Sequence, residues 1–260
     1  MKKLVFDLDG TMYRGNEIIP SAKRFLDFCI HEGIPFYFLT NNSMRTPQEN
    51  VLHMEKMGYR GIKAEQFYNS AMASVEYVMA HSPSRKAYYI GKEGMRLALE
   101  ENGFQITEDH PDFVFVGLDK DATYASYSYA LQFLLDGAQL IGTNKDWILA
   151  KPNGFEMGNG SIVAMFEYAT KQTSPDIAKP AYPILKYFLQ HFDLHKDLHK
   201  EEILLVGDNL GTDILLGVEN GVDTVFVETG VHTRKDLDVY GIQPTYVVKD
   251  LMELLNFDFY

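Results

Sequence analysis

The chain opens on an apolar segment that runs directly into two carboxylates. Leu4–Phe6 precede Asp7 and Asp9, and Gly10 follows them. This order predicts a short buried strand that ends in a glycine turn. Side chains two residues apart on an extended strand share a face, so we expect Asp7 and Asp9 to converge. Ligands bind at the carboxyl ends of strands in open α/β sheets, so the opening predicts either an acidic site at a sheet edge or a turn that uses aspartate only for capping.

Two later apolar segments end in the same way. Residues 35–39 lead into Thr40 and Asn41, and residues 204–206 lead into Gly207 and Asp208. The sequence therefore delivers polar side chains at the carboxyl ends of three expected strands.

Oxygen ligands at strand ends suit Mg²⁺, which binds a few carboxylates together with waters and substrate phosphate. Asp7, Asp208 and a backbone carbonyl can supply such ligands, and Asp213 suits a supporting position. Taken alone, Asp208 could instead be the N-cap of a helix. Together with the opening acids it favours a cation site. Two acids beside a cation can divide phosphoryl transfer, because one attacks the phosphorus while the other handles the proton.

Strand and helix patterns alternate along the chain, as is typical of α/β folds. We expect strands at residues 4–6, 35–39, 88–90, 113–116, 139–142, 203–206 and 224–227. We expect helices at residues 21–30, 47–57, 93–101, 124–135, 180–192 and 212–219, and another from Ser70. The economical arrangement is a doubly wound parallel sheet, a Rossmann-like core of residues 1–81 and 178–260, with an α/β block at 82–177 inserted as a lid.

A site of this acidity needs a further cation if it is to hold a phosphoryl group. Two Lys-Pro pairs compete for that role, at Lys151 and at Lys179. An amphipathic pattern follows Lys179, which places this lysine near the positive end of a helix, where anions are favoured. Lys151 precedes the turn signal Asn153-Gly154 inside the inserted block. We therefore choose Lys179 and expect Lys151 to be solvated or to contact the lid.

Composition restricts the partners and the compartment. The formal net charge of −12 disfavours a nucleic-acid polymer, because that affinity rests on Lys and Arg. The single cysteine, Cys29, lies in an apolar stretch that predicts buried packing and agrees with a reducing compartment. No apolar run is long enough for a membrane span. We expect a cytoplasmic protein that acts on a small phosphorylated metabolite and has no membrane partner. A homo-oligomer is possible on this composition.

The ordered motifs resemble those of the haloacid dehalogenase superfamily. The likeness extends to its NagD and 4-nitrophenylphosphatase subfamily, in which a large α/β cap separates the second and third motifs. The four motifs are Asp7-Leu8-Asp9-Gly10-Thr11, Thr40-Asn41-Asn42-Ser43, Lys179-Pro180 and the segment from Gly207 to Asp213. Thr143–Asp146 and Gly158–Ser161 resemble further signatures of the group, and Met157 and Ala178 depart from its common residues without removing a functional group.

The resemblance implies a role for each motif residue. Asp7 would be the nucleophile that forms an aspartyl phosphate, and Asp9 the general acid and then the base. The phosphate-binding set would be Thr40, Asn41, Lys179 and Asn209. Mg²⁺ would be bound by Asp7, the backbone carbonyl of Asp9 and Asp208, with Asp213 acting through water.

The implied activity is Mg²⁺-dependent hydrolysis of small organic phosphate monoesters. Nucleoside monophosphates and sugar or polyol phosphates are the expected substrates, with 4-nitrophenyl phosphate as an artificial one. A phosphomutase of the same superfamily is an alternative. A non-enzymatic receiver-type phospho-acceptor domain is another, but Asp9 and the large lid argue against it.

Several side chains in the inserted block and after it lie outside the four motifs. The residues Tyr124, Tyr127, Leu131 and Leu134 have helical spacing, which predicts core packing. We expect substrate specificity to come from the loop at 143–147, where Trp147 could pack or contact substrate. The sequence does not tell whether His191, His195 and His199 have a role, and their polar surroundings favour a solvated helix end and loop.

Overall fold

The computed structural model describes residues 2–151, 154–194 and 202–257. Their contacts divide into two compact units. The first holds the described residues of Met1–Thr40, Gln48–Tyr68 and Phe188–Tyr260, and the second holds those of Asn41–Pro47 and Asn69–Tyr187. The boundaries at residues 81 and 178, expected from the sequence, stay a prediction.

Strands and helices alternate through both units. The strands are β1 (Lys3–Phe6), β2 (Tyr13–Arg14), β3 (Glu17–Ile18), β4 (Phe36–Thr40), β5 (Phe67–Asn69), β6 (Lys86–Ile90), β7 (Gln105–Ile106), β8 (Phe113–Val116), β9 (Gln139–Gly142), β10 (Ile148–Lys151), β11 (Gly154–Met157), β12 (Ile203–Gly207), β13 (Asp223–Val227) and β14 (Tyr246–Val248). The helices are α1 (Pro20–Glu32), α2 (Pro47–Lys56), α3 (Ser70–His81), α4 (Glu93–Glu101), α5 (Tyr124–Leu135), α6 (Asn159–Thr170), α7 (Tyr182–His191), α8 (Leu215–Asn220) and α9 (Leu237–Tyr240).

The first unit is built on a six-stranded sheet of order β14-β13-β12-β1-β4-β5. Strand β1 pairs in parallel with both β12 and β4, and β12 and β13 continue the parallel pairing toward β14. The chain therefore moves outward from β1 in two directions, through β4 on one side and through β12 and β13 on the other. This order confirms the doubly wound parallel α/β fold.

The core of the first unit is apolar and rich in aromatic rings. Phe6 packs its ring against Phe25 of α1 and against Phe38 of β4, with ring centroids 6.2 Å apart in each pair. Cys29 is fully buried in the same core, and burial raises the pKa of its thiol to about 12. This burial confirms the prediction that Cys29 packs in the core.

The second unit contains a four-stranded sheet of order β7-β6-β8-β9, whose pairs are all parallel. Its core lies between this sheet and helices α5 and α6, and Leu134 is buried in it with Tyr127 and Leu131 partly buried. Tyr124 is 88% exposed, so the prediction of core packing is wrong for this residue. It stands at the first position of α5, directly after the N-cap Thr123, where the helix begins on the surface.

Helix ends follow local signals with two corrections. Helix α1 begins at Pro20 and ends at Gly33, whose φ of 68° closes the helix in the left-handed region. The helix expected at 180–192 begins only at Tyr182, after a turn in which the amide of Ala181 donates to the carbonyl of Ala178. The helix expected at 212–219 is preceded by a π-helical turn over Leu210–Ile214, a form often found at functional sites.

Several elements of the described chain have no counterpart among the predicted ones. These are helices α6 and α9, strands β5, β7 and β14, and the antiparallel pairs β2–β3 and β10–β11. Pro152, Asn153, His195 and His199, which figured in the sequence analysis, lie outside the described residues. None of the helices in the described ranges has the length and apolarity needed to cross a bilayer.

Candidate active site

Strands β1 and β12 bring the opening acids and the late acids to one edge of the sheet. Phe6 lies beside Val206 in the parallel register, and the amide of Asp7 donates to the carbonyl of Val206 at 2.8 Å. Asp7 and Asp208 each follow the end of their strand. Because neighbouring parallel strands end at the same edge, the two carboxylates meet there.

Three carboxylates form a cluster at this edge. Oxygen atoms of Asp7, Asp208 and Asp213 all lie within 4.8 Å of one another. Asp208 and Asp213 are buried, with 1% and 4% of their surface exposed, while Asp7 is half-buried. An all-oxygen donor set of this charge suits a hard divalent cation. The cluster can therefore hold a divalent metal ion, which would offset the repulsion between the buried carboxylates.

Asp9 is not a member of the carboxylate cluster. Its side chain is exposed, and its Oδ1 accepts a hydrogen bond from the amide of Gly15 at 3.2 Å. Strand β1 ends at Phe6, so the alternation that would align Asp7 with Asp9 does not continue through the turn. The two acids thus have different surroundings, which suits them to different chemical roles.

Asp208 is held by groups that follow β1 and β13. The hydroxyl of Thr11 donates to its Oδ1 at 3.2 Å, and the amide of Val231 donates to its Oδ2 at 2.7 Å. Burial, followed by the negative charge of Asp213, raises the pKa of Asp208 well above its usual value. The ionised form of Asp208 is therefore unfavourable unless a cation lies beside it.

This pKa shift predicts a pH dependence of stability in the metal-free protein. The folded state binds a proton at Asp208 more tightly than the unfolded chain, whose aspartates titrate near about 4. The free energy of unfolding should therefore fall as pH rises from about 4 toward neutrality. Urea unfolding in EDTA at a series of pH values measures this slope. Asp208→Asn, which cannot ionise, should have a flatter profile, and equal slopes in the two proteins would contradict the assignment.

Glycines line the cluster where no side chain fits. A Cβ on Gly10, whose φ is +91°, would lie 2.3 Å from Oδ2 of Asp208, and one on Gly230 would lie 1.9 Å from the same atom. The backbone of both loops approaches the carboxylate closely because these positions lack a side chain.

Gly10→Ala should therefore destabilise the protein by about 3 kcal/mol, through the strained backbone and the displacement of Asp208. The matched control is Gly15→Ala, because Gly15 also has a positive φ, of +61°, but has no atom within 4 Å of the Cβ position. It should cost about 1 kcal/mol. Chemical denaturation measures both values. Equal losses in the free energy of unfolding would show that the close contact between residue 10 and Asp208 does not affect stability.

The second unit holds Asn41 and Lys179 in a separate buried network. Asn41 and Lys179 are 9% and 6% exposed. The Asn41 side chain donates to the carbonyl of Lys179 at 3.0 Å and accepts from the amide of Lys179 at 2.9 Å. It also donates to both carboxylate oxygens of Asp146, at 3.1 and 3.3 Å. The sequence pattern connected Asn41 with phosphate, whereas the structure directs its side chain to Lys179 and Asp146.

The remaining expected site residues have distinct positions. Thr40 is a buried residue at the end of β4, and Asn209 caps the π-helical turn by accepting from the amide of Gly211 at 2.9 Å. Asn144 is buried and donates to the carbonyl of Asn41 at 2.9 Å, and its part in substrate specificity stays a prediction. Trp147 is 71% exposed, so it does not pack in the core.

Sequence reasoning missed the groups that support the acids. Thr11 is the last residue of the opening motif, and a hydroxyl at that position could have been read as a partner of Asp208. Thr229 donates to the carbonyl of Gly10 at 2.8 Å, but no pattern in the chain connects residues so far apart.

Comparisons with known proteins agree with this geometry. Residues 4–105 match the family model described as haloacid dehalogenase-like hydrolase, and residues 176–254 match one described as HAD-hydrolase-like. An acid sugar phosphatase of Staphylococcus aureus (strain MRSA252) is 37% identical over 255 residues, which cover 98% of this chain and 96% of the relative.

Solved structures give the same result. A single mutant of a thermostable NPPase from Geobacillus stearothermophilus is 36% identical, with a TM-score of 0.86 over 99% of this chain and 98% of that one. NagD from E. coli K-12 is 30% identical, with a TM-score of 0.87 over 100% of this chain and 99% of that one. With its carboxylate cluster at the end of β1 and β12 and its relatives matched over nearly their full length, the chain belongs to the haloacid dehalogenase-like hydrolases, in the NagD-like group.

Proposed function

We propose that this protein is a Mg²⁺-dependent phosphatase that hydrolyses small organic phosphate monoesters through an aspartyl phosphate on Asp7. The cluster of Asp7, Asp208 and Asp213 carries the proposal, because three carboxylates within 4.8 Å of one another need a cation beside them. The names of the relatives in the same family support the reaction class.

The donor set decides which cation we propose. Only carboxylate oxygens meet at the cluster, without a sulfur or nitrogen ligand among its members, and such ligands favour Mg²⁺ over softer metals. Asp7 and Asp208 would bind the ion with the backbone carbonyl of Asp9, and Asp213 would support it. When bound, Mg²⁺ would offset the negative charge of the phosphoryl oxygens and of Asp7.

The proposed reaction has two steps on the residues of this chain. An oxygen of Asp7 attacks the phosphorus, the bond to the leaving oxygen breaks, and Asp9 gives its proton to the alcohol that departs. Asp9 then takes a proton from water, whose oxygen attacks the same phosphorus, and the bond to Asp7 breaks to release inorganic phosphate. The exposed position of Asp9 supports this role, because its carboxylate can reach solvent water.

Phosphate would be held by Lys179, Thr40 and the side-chain amide of Asn209. A lysine ammonium suits this task because catalysis of phosphoryl transfer depends mainly on neutralising charge on the transferring oxygens. Lys179 and Thr40 are both buried, and burial from water strengthens such electrostatic interactions.

The relatives suggest which substrates to propose. Since the Staphylococcus aureus relative is named an acid sugar phosphatase, we propose sugar and polyol phosphates first and nucleoside monophosphates second. Other solved relatives are named 4-nitrophenylphosphatases, so 4-nitrophenyl phosphate is a suitable artificial substrate.

A phosphate-release screen tests the proposal. Wild-type protein is incubated with sugar phosphates, polyol phosphates, nucleoside monophosphates and 4-nitrophenyl phosphate, each with Mg²⁺ and with EDTA. We expect inorganic phosphate only in the Mg²⁺ samples. An isomerised phosphate ester without phosphate release would identify a mutase instead, and activity that EDTA does not change would exclude the proposed role of the cluster.

A further inference from the structure

The side chain of Asn41 forms hydrogen bonds with both main-chain polar groups of Lys179. Its Nδ2 donates to the carbonyl of Lys179 at 3.0 Å, and its Oδ1 accepts from the amide of Lys179 at 2.9 Å. A side-chain amide that pairs with both polar groups of one residue fixes the position and the rotation of that residue's backbone. The base of the Lys179 side chain is therefore set by Asn41.

The donors of Asn41 are committed to this network. A side-chain amide has two N–H groups. One points to the carbonyl of Lys179, and the other is shared between the two carboxylate oxygens of Asp146, at 3.1 and 3.3 Å. The bond to an ionised acceptor is the stronger kind, so Asp146 holds the amide in the orientation that pairs with Lys179.

The main chain of Asn41 is also fixed. Its carbonyl accepts from the hydroxyl of Ser70 at 2.6 Å and from the side chain of Asn144 at 2.9 Å. Both partners are buried. The backbone of Asn41 is thus fixed by these two hydrogen bonds. The orientation of its side-chain amide is set by Asp146.

The loop that carries Asp146 is held in turn by the start of helix α6. The amide of Gly160 donates to the carbonyl of Asp146 at 2.9 Å, and the amide of Gly158 donates to the carbonyl of Trp147 at 2.9 Å. A Cβ at Gly158 would lie 2.0 Å from the carbonyl oxygen of Asp146, and one at Gly160 would lie 2.3 Å from that of Lys145. The two glycines are required because helix and loop touch backbone to backbone.

We infer that Asn41 and Asp146 are positioning residues that set the place of the Lys179 ammonium, and that the side-chain amide of Asn41 does not itself contact phosphate. This inference rests on the proposed function for the role of Lys179 as the phosphate cation. It also explains the segments 143–146 and 158–161, whose glycines and polar residues the reaction itself does not use.

A double-mutant cycle separates positioning from direct contact. Asn41→Ala, Lys179→Ala and the double variant are compared by kcat/KM with 4-nitrophenyl phosphate. Partners that orient a functional group typically contribute about 10- to 100-fold, so we expect a loss of that size from Asn41→Ala in the wild-type background. In the Lys179→Ala background we expect a loss below about threefold, because no ammonium remains to be positioned. Equal losses in both backgrounds would show direct phosphate contact by Asn41 and overturn the inference.

Stability measurements exclude a merely structural effect. Lys179→Ala retains the amide and carbonyl that pair with Asn41, so Asn41→Ala should lower the urea midpoint equally in both backgrounds. If only folding were affected, activity would follow the same additive pattern as stability. A second pair of variants tests the inference if Asn41→Ala does not fold. Asp146→Asn retains one acceptor oxygen, so it should lower kcat/KM less than Asp146→Ala does.

The matched control is Gln172→Ala. Gln172 also belongs to the second unit and also bridges backbone groups, since it donates to the carbonyls of Leu134 and Ala138 and accepts from the amide of Leu140. It is not connected to Lys179 by any hydrogen bond among the described residues. We expect Gln172→Ala to lower stability without a change in kcat/KM beyond about twofold.

A spectroscopic readout keeps the inference separate from the proposed function. The Cε signal of Lys179 in ¹³C-lysine NMR spectra, assigned by its loss in Lys179→Ala, should shift in Asn41→Ala and in Asp146→Ala but not in Gln172→Ala. An unchanged signal would overturn the positioning role even in an active enzyme. A wild-type protein that releases no phosphate would instead overturn the proposed function, while the NMR result would still decide the inference.

Discussion

Replacing Asp7 by asparagine should abolish phosphatase activity. The amide is neither a competent nucleophile nor an anionic partner for a cation, so two contributions are lost together. We expect kcat to fall by at least about 10⁴-fold, as it does when nucleophiles are removed from other covalent catalysts. Phosphate release from 4-nitrophenyl phosphate measures the loss. Circular dichroism checks the fold, because Asp7 is half-buried beside Asp208 and Asp213.

Asp9→Asn is the informative companion to this variant. It retains the nucleophile and the backbone carbonyl but lacks the acid and base, so an activated leaving group should still depart while the aspartyl phosphate persists. Intact-mass spectrometry of acid-quenched samples should detect the phosphoprotein in Asp9→Asn and not in Asp7→Asn. Full turnover of Asp7→Asn in metal-free buffer would contradict the mechanism proposed here.

Lys179→Ala should lower kcat/KM by at least about 100-fold, which corresponds to about 3 kcal/mol of transition-state stabilisation. The loss follows from the removal of a buried cation that we assign to the transferring oxygens. Lys179→Arg should restore only part of the activity, because a guanidinium retains the charge but not the compact shape of the ammonium.

Lys151→Ala is the matched comparison for this variant, because Lys151 also precedes a proline. It should lose much less activity than Lys179→Ala. Steady-state kinetics on folded variants compare the two. A larger loss from Lys151→Ala would transfer the phosphate role to that residue and would require new boundaries for the inserted block.

The sequence predicted the regular elements well where local signals are strong. The bounds of α4, α5, β8 and β9 agree with the structure, since each has a clear periodic pattern and a turn or cap beside it. The prediction that Tyr124 packs in the core was wrong, because helical spacing shows which residues share a face but not how far the neighbouring element covers that face. The π-helical turn over Leu210–Ile214 was missed because apolar periodicity does not distinguish it from the first turns of an α-helix.

The candidate site was predictable in its residue types and less so in its contacts. Two strand ends with carboxylates predicted an acidic cluster, and the structure brings Asp7, Asp208 and Asp213 together. The pairing of Asn41 with Lys179 joins residues 138 positions apart. A side-chain amide beside a phosphate motif suggests an anion ligand, and this role of Asn41 stays a prediction beside the hydrogen bonds to Lys179 and Asp146 that the tertiary structure shows. Long-range hydrogen bonds of this kind leave no periodic trace in the sequence.

The central place of β1 between β4 and β12 has a consequence for the order of folding. Thr11 and its partner Asp208 lie 197 positions apart, so the carboxylate cluster is assembled from two distant parts of the chain. Contacts of such high sequence separation form slowly, because the entropy of closing the loop is lost before the contact is gained. During synthesis, β1 leaves the ribosome long before β12. The edge of β1 that pairs with β12 therefore stays unpaired until β12 has been made. The acquisition of the metal should therefore be a late event in the maturation of the protein, after the second unit has emerged.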